Sequence, residues 1–222
     1  MNFFADAIAW ILNPAQHEGA NALSVRIGEH LAYTFGAVAL GALIAIPLGI
    51  LVGHTRRGTA VAVALTGGLR ALPSLGVLIL IALGVGIGFQ APLATFVIMA
   101  IPPLLSGTYA GIQAVNPVTV DSARSMGMTH LQVITRVELP LAFPLVMAGI
   151  RSAILQVVAT ATLAAYVSGG ALGVYIFSGL ARRDYTQMLA ASIIVIAVAF
   201  VLEGTFALLQ RLARPRGLIA QR

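Results

Sequence analysis

Long apolar stretches separated by short polar ones dominate the chain. A helix needs about 20 mostly apolar residues to cross a bilayer, and about five stretches reach that length. They lie near 32–53, 59–88, 92–115, 141–166 and 187–210. The pattern predicts an all-α, polytopic membrane protein with about five transmembrane helices. Because no internal repeat or soluble domain is visible, residues 1–222 are interpreted as one membrane domain.

Prolines interrupt two of the predicted spans. The second span is too long for one straight crossing, and Pro73 should kink it. The third carries Pro102 and Pro103 near its middle, where we expect a break in the helix. Broken backbone at membrane depth is tolerated mainly where protein or water satisfies the freed groups. We therefore expect both spans to line a path, with Ser106 and Tyr109 facing it; the alternative is that these residues serve only packing.

The segment before the first span, residues 1–30, contains an amphipathic stretch. One side of a helix there would carry Phe4, Ile8, Ile11 and Leu12. Apolar side chains on one face are typical of a helix that lies at a membrane surface. We expect an interfacial segment.

Charged residues are few, and every basic one is an arginine. The chain is 59% hydrophobic and 9% charged, with 13 basic residues, no lysine and a net charge of +6. Its mean hydropathy of +0.97 is typical of a membrane protein. We interpret the charge as a topology signal, with lipid rather than nucleic acid as the surrounding partner.

The arginines divide unequally between the two predicted sides of the membrane. One side would hold Arg56, Arg57, Arg124, Arg136, Arg211, Arg214, Arg216 and Arg222. The other would hold Arg26, Arg182 and Arg183. The positive-inside rule makes the first side cytoplasmic. The N-terminus and residues 1–30 are then extracytoplasmic, and the C-terminus is cytoplasmic.

The longest polar interval, residues 116–140, predicts two short helices outside the bilayer. Asn116 is a good N-cap, and Pro117 suits the first helical position, where its missing N–H costs nothing. The first helix should run to about Met126. Gly127 should then end it, because glycine adopts the left-handed conformation without steric penalty.

The second helix of this pair should begin after Thr129. Gln132 stands three residues later and completes a capping box. Pro140 should mark its end as the chain enters the fourth span. A solvated connector with no partner is one alternative. A DNA-reading helix-turn-helix is another, although tethering at both ends to membrane spans would prevent major-groove docking.

One ordered pattern runs through this interval. It consists of Asp121, Ser122 and Ala123, three residues, Gly127, nine residues, and then Val137, Glu138, Leu139 and Pro140. It resembles the "EAA" signature of binding-protein-dependent ABC importer permeases: Glu-Ala-Ala, three residues, Gly, nine residues, Ile, any residue, Leu-Pro. The spacing matches throughout. Asp, Ser and Val replace Glu, the first Ala and Ile, and the Asp carboxylate reaches one methylene less far.

Three segments extend the resemblance to a subgroup. They are "RALPSLGVL" (70–78), "ARSMGMTHLQVITRVELPLAFPLVMAGIR" (123–151) and "TATLAAYVSGGALGVYIFSGL" (160–180). They most resemble permeases for glycine betaine, choline, carnitine and related osmoprotectants, and the likeness covers about residues 30–210. The last segment is also similar to methionine and phosphonate importer permeases. The resemblance implies a type I, MetI-like permease for osmoprotectants, with another small solute such as methionine as the alternative.

The resemblance also implies that a partner supplies the energy. The chain has no G-x-x-x-x-G-K-[ST] motif and no lysine, so we expect no enzyme activity and no cofactor in it. ATP and Mg would belong to ABC ATPase subunits. By carry-over, Asp121, Ala123 and Gly127 would contact the ATPase as part of the coupling helices. Leu139 and Pro140 would fix the hinge to the fourth span.

Further expectations concern partners and location. About five spans are too few to enclose a path, so we expect a second permease subunit, identical or related, and an extracytoplasmic substrate-binding protein. The expected location is the bacterial cytoplasmic (inner) membrane. A stand-alone secondary transporter is the remaining alternative, and it would need coupling-ion residues at mid-membrane. The spans offer only Arg70, Arg151 and Glu203, which are too few for a proton relay.

Those three intramembrane charges should not stand alone. An unpaired charge near the bilayer centre costs about 2.5–3.5 kcal/mol, so Glu203 is expected to pair with Arg151 or Arg70. Snorkelling of each arginine to the interface is the alternative. Between the fourth and fifth spans, Gly169 and Gly170 should form a turn before a short helix that helps to gate the path. A plain loop is the alternative there.

No metal site is expected. The chain has no cysteine, and its four histidines lack metal-ligand spacing. His17 and His30 would lie outside and His54 and His130 inside. We expect each to be an isolated interfacial side chain.

Overall fold

The computed structural model describes residues 2–168 and 170–212, and this part of the chain is helical without strands. The α-helices are α1 Phe3–Leu12, α2 Leu23–Thr55, α3 Thr59–Ala71, α4 Ser74–Val85, α5 Gln90–Gln113, α6 Pro117–Ser125, α7 His130–Val133, α8 Leu139–Thr160, α9 Ala164–Ser168, α10 Gly173–Arg182 and α11 Tyr185–Leu212. The 3-10 turns are Pro14–His17 and Ala161–Leu163. A π-helical turn, Ile134–Glu138, joins α7 to α8. The expected all-α fold is confirmed.

Four stretches are long and apolar enough to cross a membrane. They are Leu23–Thr55, Gln90–Gln113, His130–Ser168 and Tyr185–Arg211. A fifth candidate is the pair α3 and α4, which meet at an angle of 87° at a short break. The break includes Pro73, the N-cap of α4, so the kink expected there is confirmed. The number of spans agrees with the prediction.

The core consists of α2, α5 and α8, packed side by side, with α5 parallel to α2 and antiparallel to α8. Near one end of the bundle, the Gln113 amide of α5 donates to Thr59 Oγ1, and α6 and α7 follow. Near the other end, Tyr33 of α2 stacks on Phe89 with ring centroids 4.6 Å apart. We call these the α6 end and the α10 end.

Small residues let the core helices approach closely. A Cβ built on Gly49 of α2 would lie 2.6 Å from the Thr108 side chain of α5. A Cβ on Gly107 of α5 would lie 2.7 Å from Gly149 Cα of α8. Real Cβ atoms do not come that close, so neither position accepts a larger residue without a shift of the helices. Close backbone approach through small residues is typical of helix packing in membranes.

The first span begins earlier than its hydropathy indicates. Helix α2 starts at Leu23 rather than near 32, so the last part of the predicted interfacial segment 1–30 is helical and continuous with the span. Its polar residues have partners: Arg26 forms an ion pair with Glu29 at 2.8 Å, and the buried His30 ring contacts the Val158 carbonyl through Nε2 at 3.0 Å. The prediction that His30 is an interfacial side chain is wrong.

The tandem prolines of the third span do not break it. Helix α5 is continuous through Pro102 and Pro103, and both residues are buried. The expected interruption is therefore wrong. The reason is packing, since a Cβ on Gly149 would approach the Pro103 carbonyl oxygen to 2.7 Å, which puts α8 directly against this part of α5. Packed neighbours stabilise a helix that lacks individual hydrogen bonds.

Candidate functional site

The helix pair α6–α7 has the N-caps and the glycine turn that the sequence predicts. Asn116 Oδ1 accepts from Val118 N at 2.9 Å at the start of α6. Gly127 follows the helix with φ +86°, in the left-handed region that favours glycine. Thr129 and Gln132 form the reciprocal capping box, with the Thr129 N–H donating to the Gln132 side chain at 2.9 Å. These contacts orient α7 relative to α6.

The surface of this helix pair mixes buried and exposed positions. Ala123 is buried, while Asp121 and Gly127 are exposed. Large apolar side chains project from the pair: Val118, Met126 and Leu131 are 68%, 74% and 69% exposed. Exposed apolar groups next to a defined turn are typical of a protein-binding surface. Of the carried-over residues, Asp121 and Gly127 are exposed, while Ala123 is buried, and contact of this helix pair with an ATPase stays a prediction.

The second helix of the pair does not end at Pro140. The π-turn leads from α7 into α8, with the Leu139 N–H donating to the Ile134 carbonyl. Pro140 stands in the first turn of α8, where a missing N–H breaks no hydrogen bond within that helix. The expected end at Pro140 is wrong, and the hinge expected at Leu139 and Pro140 is a continuous helical joint.

Behind the helix pair, the α6 end holds a cavity of about 510 Å³. Its ionisable lining residues are His54, Arg56, Arg57, Asp121, Arg124, His130 and Glu138. The Glu138 carboxylate is buried and contacts His54 Nδ1 at 2.7 Å. His54 Nε2 lies 3.0 Å from His130 Nδ1. We call these three residues the His54–Glu138–His130 cluster.

The expectation that these histidines are isolated was wrong. His54 closes α2 and His130 opens α7, and the two are 76 residues apart in the chain. The π-turn brings Glu138 against His54, which contacts both other members of the cluster. Among the residues that the structure describes, no three His, Cys, Asp or Glu side chains are arranged to hold a metal ion.

The intramembrane charges fall into two groups. Glu203 of α11 forms an ion pair with Arg151 of α8, whose Nε donates to Glu203 Oε2 at 2.6 Å. Arg151 Nη1 also reaches Gln210 Oε1 at 3.5 Å. Of the two partners that the sequence left open for Glu203, the structure selects Arg151. Arg70 instead approaches Ser106 Oγ, at 3.5 Å.

The proposed path residues on α5 are only partly exposed. Ser106 is half-buried and donates to the Pro103 carbonyl at 3.3 Å. Tyr109 packs against the core cluster of α2, α5 and α8. Its packing agrees with the alternative noted for this residue. Their part in a path stays a prediction.

At the α10 end, a short turn joins α9 to α10. Gly169 lies outside the described residues. Gly170 is half-buried, and the following Ala171 has φ +60° while its N–H donates to Glu29 Oε2 at 2.8 Å. Tyr175 of α10 donates to the Asn21 carbonyl, and burial raises the pKa of its phenol, which keeps it a neutral donor. The predicted short helix is present as α10, and its gating role stays a prediction.

Comparison with known proteins gives this geometry its context. Residues 45–216 match the family of binding-protein-dependent transport system inner membrane components. The chain belongs to this family. The match includes α6, the capping box and the π-turn, so the EAA-like pattern sits in the context that the family provides. This membrane component is therefore a transporter subunit, and its relatives are permeases.

Curated relatives align with nearly the whole membrane component. The glycine betaine/carnitine/choline transport system permease protein OpuCB of Bacillus subtilis (strain 168) is 33% identical, over 88% of this chain and 90% of its own. The choline transport system permease protein OpuBB of the same organism is 33% identical, over 86% and 88%. The carnitine transport permease protein OpuCB of Listeria monocytogenes is 34% identical, over 91% and 93%.

Solved structures share the fold of this membrane component. The inward-facing MetNI methionine ABC transporter matches with a TM-score of 0.77 at 20% identity, over 87% of this chain and 96% of that chain. An amino acid ABC transporter crystallised with histidines matches with a TM-score of 0.64 at 23% identity, over 84% and 90%. These likenesses confirm the MetI-like fold.

Proposed function

We propose that the chain is the permease subunit of an ATP-driven importer for osmoprotectants such as glycine betaine, choline or related quaternary amines. The observation that carries this proposal is the one-third identity, over most of both chains, to permeases named for glycine betaine, carnitine and choline. The family of transport-system membrane components supports the same function. The finer assignments below rest on the structure of the α6 end.

The ATPase partner docks on the helix pair α6–α7. Three observations support this proposal: the exposed apolar side chains of Val118, Met126 and Leu131, the left-handed turn at Gly127, and the basic cavity beside them. A groove on an ATPase can enclose such a protruding turn. Because the chain lacks lysine and a phosphate-binding loop, ATP and Mg bind to the ATPase subunits.

The orientation follows from the arginines. In the described part of the chain, the α6 end carries Arg56, Arg57, Arg124, Arg136 and Arg211, while the α10 end carries Arg26, Arg182 and Arg183. The positive-inside rule puts the α6 end in the cytoplasm of a bacterium and the N-terminus outside. A substrate-binding protein then docks at the α10 end. A second permease subunit, identical or related, completes the path.

Reconstitution tests this function directly. The chain is co-expressed with its cognate ATPase and binding protein, purified and placed in proteoliposomes with ATP inside. Uptake of labelled choline, glycine betaine and carnitine is measured, with methionine as the competing solute. We expect uptake of at least one quaternary amine that requires both ATP and the ATPase. Uptake without the ATPase indicates a secondary transporter, and uptake of methionine alone refutes the osmoprotectant assignment.

A glycine variant tests the docking surface in the same assay. At φ +86°, a Val at position 127 costs about 1–2 kcal/mol or more, so Gly127→Val should redirect α7 and abolish coupled uptake. Gly19→Val is a matched control, because Gly19 also has a positive φ, +78°, and no atom within 4 Å of a built Cβ. Normal uptake by Gly127→Val would exclude a coupling role for the turn.

A further inference from the structure

The His54–Glu138–His130 cluster links two parts of the molecule that otherwise share few polar contacts. His54 is in the last turn of α2, and Glu138 and His130 belong to the segment that leads from the helix pair into α8. In the described part of the chain, His54 makes all the side-chain hydrogen bonds between α2 and residues 116–138. The two imidazole rings also meet edge to face, with centroids 5.3 Å apart.

Glu138 is the most costly member of the cluster to bury. Its side chain is 5% exposed, and a carboxylate removed from water needs a charged or hydrogen-bonded partner. His54 is that partner. A displacement of the helix pair that separated the two would leave Glu138 buried and unpaired. The contact therefore resists relative motion of α2 and the π-turn.

Helix α2 is in turn tightly engaged with α5. A Cβ on Gly53, next to His54, would lie 2.7 Å from the Ile112 side chain, and one on Gly49 would lie 2.6 Å from that of Thr108. Such close packing leaves no room for α2 to slide along α5. A displacement of the end of α2 should therefore displace α5 as well.

We propose that the His54–Glu138–His130 cluster is the mechanical link that transmits movement of the helix pair to α2 and α5 during transport. The inference rests on the proposed ATPase docking at α6–α7. The three residues are positioning residues, because they act through the helices that they join and touch neither ATP nor substrate.

His54 is the central member of this cluster. Its Nδ1–H donates to the Glu138 carboxylate, and its Nε2 shares a hydrogen bond with His130 Nδ1. The loss of His54 therefore breaks both contacts at once. The other charged groups lining the cavity are Arg56, Arg57, Asp121 and Arg124.

The test measures substrate transported per ATP hydrolysed in the reconstituted complex. His54→Ala removes both hydrogen bonds and should lower this ratio by about tenfold, the factor expected from one hydrogen bond to a charged group. Glu138→Gln, which keeps the shape of the side chain, should lower it in the same direction. The swap His54→Glu with Glu138→His should restore part of it. Thr135→Ala, which alters an exposed side chain of the same π-turn that donates to the Leu131 carbonyl of its own segment, is the control and should change nothing.

Rescue by a conservative variant separates transmission from mere structural support. His130→Asn keeps a hydrogen-bonding side chain at the position that contacts His54 Nε2. It should retain most of the substrate transported per ATP hydrolysed, whereas His130→Ala should lower this ratio. Equal ratios in His130→Asn and His130→Ala overturn the proposal.

A distance measurement makes the result independent of transport. The chain has no native cysteine, so spin labels can be attached at exposed Thr55 of α2 and exposed Thr135 of the π-turn in the purified complex. The distance distribution should be narrow with and without ATP in the parent and broad in His54→Ala or Glu138→Gln. If the parent complex shows no ATP-driven uptake, the proposed function fails, while this distance still tests the link. Narrow distributions and a normal ratio in both variants overturn the link.

Discussion

Replacing Glu203 by Gln removes one charge from the ion pair that joins α8 to α11. Within the described part of the chain, the Arg151 guanidinium would keep the Gln210 side-chain oxygen, 3.5 Å from Nη1, as its polar partner. Gln210 is itself held by a bond of 3.0 Å to the Pro144 carbonyl. The substitution therefore leaves a cation in a membrane-spanning helix with a weak, neutral contact in place of a carboxylate.

The magnitude follows from the burial of the pair. Its side chains are 33% and 29% exposed, so the pair is intermediate between a surface and a buried ion pair. Breaking a buried pair costs about 3–5 kcal/mol, whereas an exposed pair contributes about 0–1 kcal/mol. We expect the free energy of unfolding to fall by about 2 kcal/mol. For a chain of this size, that corresponds to a fall in Tm of about 4–8 °C.

Thermal unfolding of the purified protein in detergent measures this loss. Glu18→Gln removes an exposed carboxylate before α2 and is the control. The double variant Arg151→Glu with Glu203→Arg should recover part of the stability lost by either single variant, since a double-mutant cycle isolates the pairwise energy. The reasoning is refuted if Glu203→Gln is no less stable than Glu18→Gln, or if the double variant is no better than the worse single one.

The remaining predictions concern packing, the α10 end and the capping box. Gly149→Val should prevent α5 and α8 from meeting and reduce the yield of monodisperse protein, whereas Gly204→Val, with no atom within 4 Å of a built Cβ, should not; size-exclusion chromatography measures this yield. Cysteines at Val174 and Phe177 should react faster with impermeant thiol reagents in the ATP-trapped state than at rest, and equal rates would reject a gate. Thr129→Ala should cost about 1 kcal/mol of stability, measured by thermal unfolding.

The sequence predicts local backbone structure well. The capping box of Thr129 and Gln132 and the turn at Gly127 depend on residues a few positions apart, and the structure has both. The positions of the spans can be predicted from hydropathy because a helix that faces lipid needs a mostly apolar surface. Hydropathy also explains why the predicted start of α2 is too late. Arg26 and Glu29 lower the mean hydropathy of the first turns of the helix, and a hydropathy scale takes no account of the ion pair that they form.

Contacts between distant residues are what the sequence leaves open. Glu138 and His54 are 84 positions apart in the chain. Their contact depends on a π-turn that has no capping residue by which the sequence could predict it. The tandem prolines show the same limit. Their missing donors suggested a break, but a proline breaks a helix only where the neighbours fail to support it, and α8 packs against Pro103.

The distribution of close packing indicates where the bundle can change shape. Cβ positions built on Gly49 and Gly107 would come within 2.6 and 2.7 Å of atoms of the facing helices, so α2, α5 and α8 can move only together. At Pro73 the chain turns by 87° and loses helical hydrogen bonds, and no atom lies within 4 Å of Cβ positions built on Gly67 and Gly68 in the last turns of α3. A movement that enters through the helix pair should therefore carry the core as one body and be absorbed at the junction of α3 and α4. The angle at this junction, rather than the crossing of α5 and α8, is then the quantity expected to differ between transport states.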